Sequence, residues 1–518
     1  MSALKGLLTD SFSAENKRTT FKFIQIFAFL ICVGLSLVVP LPEFMTREML
    51  VVAVIWVGVI ILWILETMHL AVTGFIACFL LYAIGRIGNM KVLREYAFSG
   101  FSETTVWFVF AALILGLAMH KTGLAKTIAE FFFSKIKGGF TRVLLVYMLV
   151  ALVMTYMVPS GDAVTAILCT LTLGVIALPA LKDKPNIAKV LFLVPALFPS
   201  VLNKSVMRGT SAITASGMIE RFSGEPIGFA EWWLYMLPAQ IFLFFWIFIV
   251  LRFLFKPEKI VWDVPEGAVA TTSSTTKSSG RVVSTTAGTE DPEEDLSSQD
   301  VALDLGKKKG LTTAQKKTAF WFGIGMTFWF TDIFHGIRPD VICMCMAIGL
   351  LLPKIGVLSG KDLRKDLNWM APMFIGTAFS IVNTLEHNGM FDLIYDNILV
   401  MIPTDAPVTV YILMVVVVAI ILHFITGHTS VLIATILPVI LTWGKAHGLS
   451  IIAITFAFLW GATGDMLIYQ SGAMMIAYAY GFFNVRELFK AGFSVTMGIM
   501  MSVLFMNAFW WPMLGFAR

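Results

Sequence analysis

Two short polar segments, each set within a long apolar stretch, most constrain how this chain can fold. The first is Ser160–Asp162 within YMVPSGDAVTAIL, and the second is Gly427–Thr429 within HFITGHTSVLIAT. The apolar arms beside each segment fall short of the roughly 20 residues that a helix needs to cross the hydrocarbon core. Each segment therefore predicts a helix that stops, turns and returns, giving re-entrant hairpins over 141–181 and 407–445. Irregular backbone at membrane depth must pack in protein or line a wet cavity, and one such break in each half predicts a transport site.

The composition places the chain among polytopic α-helical membrane proteins. Of its 518 residues, 58% are hydrophobic and 14% are charged, against about 25% charged residues in soluble domains. The five cysteines all lie in apolar segments, which is typical of small buried side chains and not of a disulfide framework or a zinc site. No cofactor is predicted beyond sodium ions, and no nucleic-acid partner. The expected partners are a small anionic solute and membrane lipid.

The polar and apolar segments divide the chain into four parts. Residues 1–49 form an N-terminus and a first helix, and residues 50–256 form a first repeat. Residues 257–312 are rich in Ser and Thr and poor in apolar residues, so they predict a disordered cytoplasmic linker. Residues 313–518 form a second repeat. The sequence thus predicts one leading helix and two five-helix repeats, with about 11 transmembrane helices.

Recurring features support the two repeats. The segment LAMHKTGLAKTI at 117–128 is echoed by TLEHNGMFDLI at 384–394, and Trp107 and Trp369 precede these segments in equivalent places. Lys and Arg concentrate in the loops that lie inside when the N-terminus is cytoplasmic. This topology predicts inverted repeats, a C-terminus outside, and a location in the plasma (inner) membrane. Exceptions to the charge rule are Arg86, Lys91, Arg94 and Lys445, which this topology places outside.

Four polar pieces are expected to meet near the membrane midplane: the two hairpin tips and two unwound stretches, 208–217 and 461–465. Helix starts offer unpaired N–H groups to an anion, whereas hydroxyls and unwound carbonyls suit a small cation. The predicted substrate-binding residues are Ser160, Gly161, Arg208, Thr210, Gly427, His428, Thr429 and Thr463. The predicted coupling-ion residues are Ser160, Asp162, Gly209, Ser211, Ala462 and Asp465.

Ionisable groups at membrane depth are costly, so each is a functional candidate by default. Asp162 and Asp465 fit either a proton or cation site or a helix cap. His428 fits either a switchable donor or a satisfied tip histidine. Lys204 is expected to extend to the interface, whereas Arg208, next to Gly209, is the better anion ligand. The other histidines are expected to be interfacial: His69, His120, His335, His387, His423 and His447.

With these residues in view, the chain resembles the divalent anion:sodium symporter family of the ion transporter superfamily, which carries citrate, succinate and sulfate. Ser160–Asp162 and the stretch around Gly427–Thr429 stand where that family has Ser-Asn-Thr tips. Gly209-Thr210 and Ala462-Thr463 match the start of its two unwound motifs. Neither tip keeps Ser-Asn-Thr, and both Pro-Pro-Asn triplets of the family are absent. The resemblance implies the inverted-repeat scaffold, a homodimer and an elevator motion, while the departures put the substrate and sodium dependence in question.

The predicted function is secondary active transport of a small anion, coupled to sodium or protons. The anion is expected to be a di- or tricarboxylate or another organic or inorganic anion. One alternative is a membrane-embedded hydrolase or acyltransferase using Ser160, Asp162 and His428, since these residue types suit nucleophilic chemistry. A second alternative is an ion channel, although the sequence contains no selectivity-filter motif.

Overall fold

The structure of the chain is a computed structural model. It describes residues 2–41, 44–65, 67–133, 138–158, 160–178, 180–181, 184–260, 310–397 and 406–515, and all regular structure in those residues is helical. Most of the predicted linker, at 261–309, lies outside the described residues, so its disorder stays a prediction.

The first half of the chain contains a leading helix followed by ten further helices. They are α1 (Ser2–Ser36), α2 (Arg47–Ile64), α3 (Leu70–Ile87), α4 (Lys91–Tyr96), α5 (Thr104–Thr122), α6 (Leu124–Phe133), α7 (Phe140–Met157), α8 (Gly161–Ile176), α9 (Pro185–Leu202), α10 (Thr210–Ser223) and α11 (Phe229–Leu254). A 3-10 turn at Asn203–Ser205 lies between α9 and α10.

The second half repeats this order of long, short and broken helices. It contains α12 (Thr313–Phe330), α13 (Asp332–His335), α14 (Pro339–Leu351), α15 (Gly360–Asp366), α16 (Met370–His387), α17 (Met390–Asn397), α18 (Val408–Thr426), α19 (Thr429–Thr435), α20 (Leu437–Ala446), α21 (Ile451–Gly461), α22 (Gly472–Ala479), α23 (Val485–Phe505) and α24 (Trp511–Met513). A 3-10 turn at Ile468–Gln470 lies between α21 and α22.

Nine helices in the described residues are long and apolar enough to cross a membrane, or ten if α19 and α20, bent by 45°, form one span. The nine include the hairpin arms α7 and α18, which the count of about eleven from the sequence treats as non-crossing. That count instead includes α12, α16 and the shorter apolar helices α14 and α21. The all-helical, multi-span fold class is therefore confirmed.

Both predicted hairpins fold back on themselves. The hydroxyls of Tyr147 on α7 and Thr172 on α8 lie 2.5 Å apart, at nearly equal distances along the chain from Ser160. On the second hairpin, the rings of Tyr411 on α18 and Trp443 on α20 pack with centroids 5.5 Å apart. Pairs placed symmetrically about a tip can meet only if the two arms run antiparallel. Neither hairpin region is an unbroken rod.

The two broken spans, α9–α10 and α21–α22, run in opposite directions. The first half of each packs against the second half of the other: α9 against α22, and α10 against α21. Parallel spans would instead bring like halves together. The hairpins pack against the same two pairs of half-helices. Helix α8 of the first hairpin contacts α9 and α22, whereas α19 and α18 of the second hairpin contact α10 and α21, respectively. This arrangement is that of an inverted repeat.

Side chains satisfy the backbone groups that the breaks release. Pro199 has no N–H to donate to the Pro195 carbonyl one turn earlier, and the Thr165 hydroxyl of α8 donates to that oxygen at 2.7 Å. Pro238 in α11 similarly releases the Leu234 carbonyl, which accepts from an indole N–H at 3.1 Å. Such partners are necessary in a membrane, because no water replaces the lost bond.

Candidate functional site

A cavity of about 430 Å³ lies where the two hairpin tips and the two helix breaks meet. Among the sequence-predicted residues, those that line it are Ser160, Gly161, Asp162, Gly209, Thr210, Ser211, Gly427, His428, Thr429 and Asp465. Arg208, Ala462 and Thr463 do not line it. Both repeats thus contribute polar groups to one cavity.

The first tip positions Asp162 against the opposite repeat. Ser160 is the N-cap of α8, and its hydroxyl oxygen accepts from the Ala163 amide at 3.3 Å. Asp162 is therefore not the cap of its own helix, as one interpretation of the sequence held. Its carboxylate instead lies at the start of α22, near the Ala473 amide. A Cβ on Gly472 would stand 2.6 Å from the Asp162 Oδ2 atom, so only glycine fits there.

The second tip is fixed by a left-handed glycine and two hydroxyls. Gly427 ends α18 with φ of 67°, a conformation that glycine adopts without strain. The Thr429 hydroxyl donates to the Ala462 carbonyl at 2.8 Å, which satisfies an oxygen released by the second break. The Ser430 hydroxyl lies 3.1 Å from that of Ser211, joining this tip to the first break.

The first break runs over 203–209, so the predicted unwound stretch 208–217 is wrong for most of its length. Helix α10 resumes at Thr210, and the Ile213 amide donates to the Gly209 carbonyl at 3.0 Å. The break follows Pro199, and the Gly209–Ser211 segment marks only its end. The interfacial position predicted for Lys204 is also wrong: the residue is 8% exposed and lines the cavity.

The second break runs over 462–471 and extends well past the predicted 461–465. Its freed amides are satisfied locally: the Gln470 Oε1 atom accepts from Met466 N at 2.8 Å and Leu467 N at 2.7 Å. Gln470 also lines the cavity, so it is a site residue that was not predicted from the sequence.

His423 was expected at the interface, but the structure buries it completely. Its Nε2 atom lies 2.8 Å from the Asp465 Oδ1 atom, and the side chains are 0% and 4% exposed. Asp465 is therefore engaged with a histidine of α18 and is not a helix cap. The signal was present in the sequence, because a histidine inside an apolar arm, here in the last turn of α18, is a functional candidate. His69, also expected to be interfacial, lines the cavity.

Arg208 is buried at 4% exposure, and its Nε and Nη1 atoms have no hydrogen-bond partner in the structure. It lies one residue before the cavity-lining Gly209, but is itself outside the cavity lining. The Thr463 hydroxyl donates to the Trp460 carbonyl of its own helix at 2.7 Å. The structure therefore does not place the Arg208 and Thr463 side chains with the other predicted ligands.

Charges in the cavity lining are few. The carboxylates are Asp162 and Asp465, the cation is Lys204, and the histidines are His69 and His428. The lining also contains several hydroxyls and the helix starts of α8 and α22. These groups provide donors for an oxyanion and oxygen ligands for a small cation.

Nearly the whole chain is similar to known membrane proteins. The family model described as the sodium:sulfate symporter transmembrane region matches residues 20–517. A citrate/succinate antiporter of Escherichia coli (strain K12) is 23% identical over 506 residues, which cover 90% of this chain and 93% of that protein. A membrane protein of Cupriavidus necator is 23% identical over 509 residues, covering 94% of this chain and 92% of that protein.

A solved structure shares the fold. The YdaH transporter of Alcanivorax borkumensis superposes with a TM-score of 0.54 at 12% identity, covering 87% of this chain and 100% of that one. At that identity the likeness concerns the fold alone.

Proposed function

Because the chain belongs to the sodium:sulfate symporter family, we propose that this integral membrane anion transporter carries a small di- or tricarboxylate. The family resemblance drawn from the tips and breaks is confirmed. The family is described as one of symporters and the Escherichia coli relative as an antiporter, which sets aside the hydrolase alternative. The relative named as a citrate/succinate antiporter supports a carboxylate solute.

One observation carries the proposal: both hairpin tips and both helix breaks line a single cavity of about 430 Å³. Sites for small molecules occupy about 300–1,000 Å³. The start of α8 lines this space and offers N–H groups and a positive dipole end to a carboxylate of the solute. The start of α22 already holds the Asp162 carboxylate. The hydroxyls of Ser160 and Thr210 would add donors that fix its orientation, whereas the Thr429 hydroxyl already donates to the Ala462 carbonyl.

Transport is coupled, in this proposal, to sodium or protons through the two carboxylates Asp162 and Asp465. The family description supports sodium. The burial of Asp465 beside His423 supports protons, since this pair holds a titratable site next to the cavity. Oxygen atoms at Ser160 and Ser211, with the backbone carbonyl at Gly209, would complete a cation site, whereas the predicted ligand Ala462 does not line the cavity.

Motion is proposed to follow the elevator scheme in a homodimer of the plasma membrane, with a cytoplasmic N-terminus and an outer C-terminus. The two hairpins pack with the broken spans, which suits a unit that moves together. The end of α10 reaches the remaining helices through charged pairs: Arg221 bonds to Glu386 of α16, and Glu220 bonds to Arg338 before α14. These pairs would break and reform as the unit moves.

Counterflow into proteoliposomes tests the proposal, with radiolabelled succinate and citrate as probes and glucose as a negative control. Thr210→Val removes a cavity hydroxyl at nearly constant volume. A hydrogen bond to a charged group is worth about 1.5–3 kcal/mol, so the apparent affinity should fall about 10- to 100-fold.

The matched control is Thr214→Val, one turn further along α10, whose hydroxyl donates to the Thr210 carbonyl within the helix. This variant should retain the wild-type affinity. Equal effects of the two substitutions, or no counterflow of either anion, would reject the assignment. Ionic currents far above carrier turnover would instead support the ion-channel alternative.

A further inference from the structure

Lys204 is a buried cation placed at the centre of the site. It lies in the 3-10 turn between α9 and α10, is 8% exposed, and lines the cavity. The Trp232 indole N–H donates to its carbonyl at 3.0 Å, which fixes the backbone of the turn. An ammonium at this depth is stable only beside compensating charge.

The compensating charges come from both repeats. Asp465 and Asp162 are the charged groups that act on Lys204, and both line the same cavity. Among the described residues no carboxylate lies within the 4.0 Å of a direct ion pair with Lys204. The ammonium therefore interacts with two carboxylates without being locked to either one.

The balance of charge shows why a cation is needed there. Lys204 is the one lysine or arginine in the described cavity lining, against the two carboxylates, of which Asp465 also contacts His423 behind the cavity. Without it, two like charges would share one site, and a negative solute would be repelled. In a sodium-coupled carrier the compensating cation comes from solution. In this chain the Lys204 ammonium, on the turn between α9 and α10, supplies that positive charge.

We propose that Lys204 is a tethered cation that takes the place of a bound sodium ion between Asp162 and Asp465, so that the anion is carried without sodium. This inference rests on the proposed function and selects among its coupling modes. Because the ammonium is covalently held, it cannot be released on either side of the membrane. A sodium gradient therefore has no ion at this position on which to act.

The test is succinate counterflow in proteoliposomes with sodium chloride or choline chloride at equal ionic strength. Wild type should give equal rates in both salts. Lys204→Ala removes the charge and leaves space beside two carboxylates, so its rate should fall about tenfold or more in choline and recover in sodium. Lys204→Met removes the charge but fills the space, so sodium should not restore its rate.

The matched control is Lys189→Ala. Lys189 lies on α9 and pairs with Glu487 at 2.6 Å, away from the cavity. This variant should show no difference between the two salts. A second readout needs no transport: sodium should raise the melting temperature of purified Lys204→Ala, by ligand stabilisation, and leave that of wild type unchanged.

The outcomes separate this inference from the function on which it rests. A wild-type rate that requires sodium would overturn the tethered cation while leaving anion transport intact. Lys204→Ala that gains neither rate nor stability from sodium would also overturn it, and would make Lys204 a direct ligand of the anion. Absence of succinate counterflow in wild type would reject the proposed substrate, and the melting measurement would still decide the role of Lys204.

Discussion

Removing the imidazole behind the cavity should destabilise the protein by leaving a buried carboxylate unpaired. In His423→Leu, the side chain of Asp465 stays at 4% exposure but loses the partner that lies 2.8 Å away. Breaking a buried pair by deleting one partner costs about 3–5 kcal/mol. In Asp465→Asn the amide can still bond to the imidazole, so the loss should be about 1–2 kcal/mol.

The two substitutions should not be additive. In the double variant neither side chain leaves the other without its partner, so its loss should be smaller than the sum of the single losses by about 1–3 kcal/mol. Denaturant titration of the purified protein in detergent measures the free energy of unfolding of wild type, both single variants and the double variant, which together form a double-mutant cycle.

The control for this cycle is His335→Leu. His335 is exposed, and its Nε2 atom lies 2.9 Å from the Phe328 carbonyl oxygen, so its substitution should change stability by no more than about 0.5 kcal/mol. A loss in His423→Leu as small as this, or strict additivity in the cycle, would refute the view that the pair is a coupled buried unit.

Three further predictions concern the tip, the contact between helix units and pH. Gly472→Ala would place a Cβ 2.6 Å from the Asp162 Oδ2 atom at the first tip, so the rate of counterflow should fall about tenfold or more. The control is Gly323→Ala, whose added Cβ would have no atom within 4 Å. This variant should leave the rate unchanged. Arg338→Glu should change the transport rate about two- to fivefold, as expected for an exposed pair, and adding Glu220→Arg should restore it. Hydrogen bonds from the lysine at the end of α5 and then from a neighbouring serine lower the pKa of Asp362 to about 2, below about 3.9 in the unfolded chain. Its stabilisation is therefore present above pH 4 and lost as the pH falls to about 2, so the melting-temperature difference between wild type and Asp362→Asn should shrink over that range.

The sequence predicted much of the fold because membrane insertion imposes strong rules on a chain. A polar tip with a glycine between two apolar arms predicted both hairpins, and symmetric contacts such as Tyr147 with Thr172 show them. The arms α7 and α18 are nevertheless long and apolar enough to cross a membrane. The extent of each break was less well predicted. The first break follows Pro199, whose missing N–H weakens the helix several residues before the polar Gly209–Ser211 segment that drew attention in the sequence.

What the sequence determined by itself is local: where apolar helices stop, and that Asp162, His428 and Asp465 stand at those stops. What only the tertiary structure decided is which of those groups meet. Asp162 faces the start of α22, and His423 faces Asp465, because the antiparallel packing of the two broken spans brings distant parts of the chain together. Electrostatic interactions depend on distance in space, so the partner of a buried charge cannot be known until the helices that carry both groups are packed.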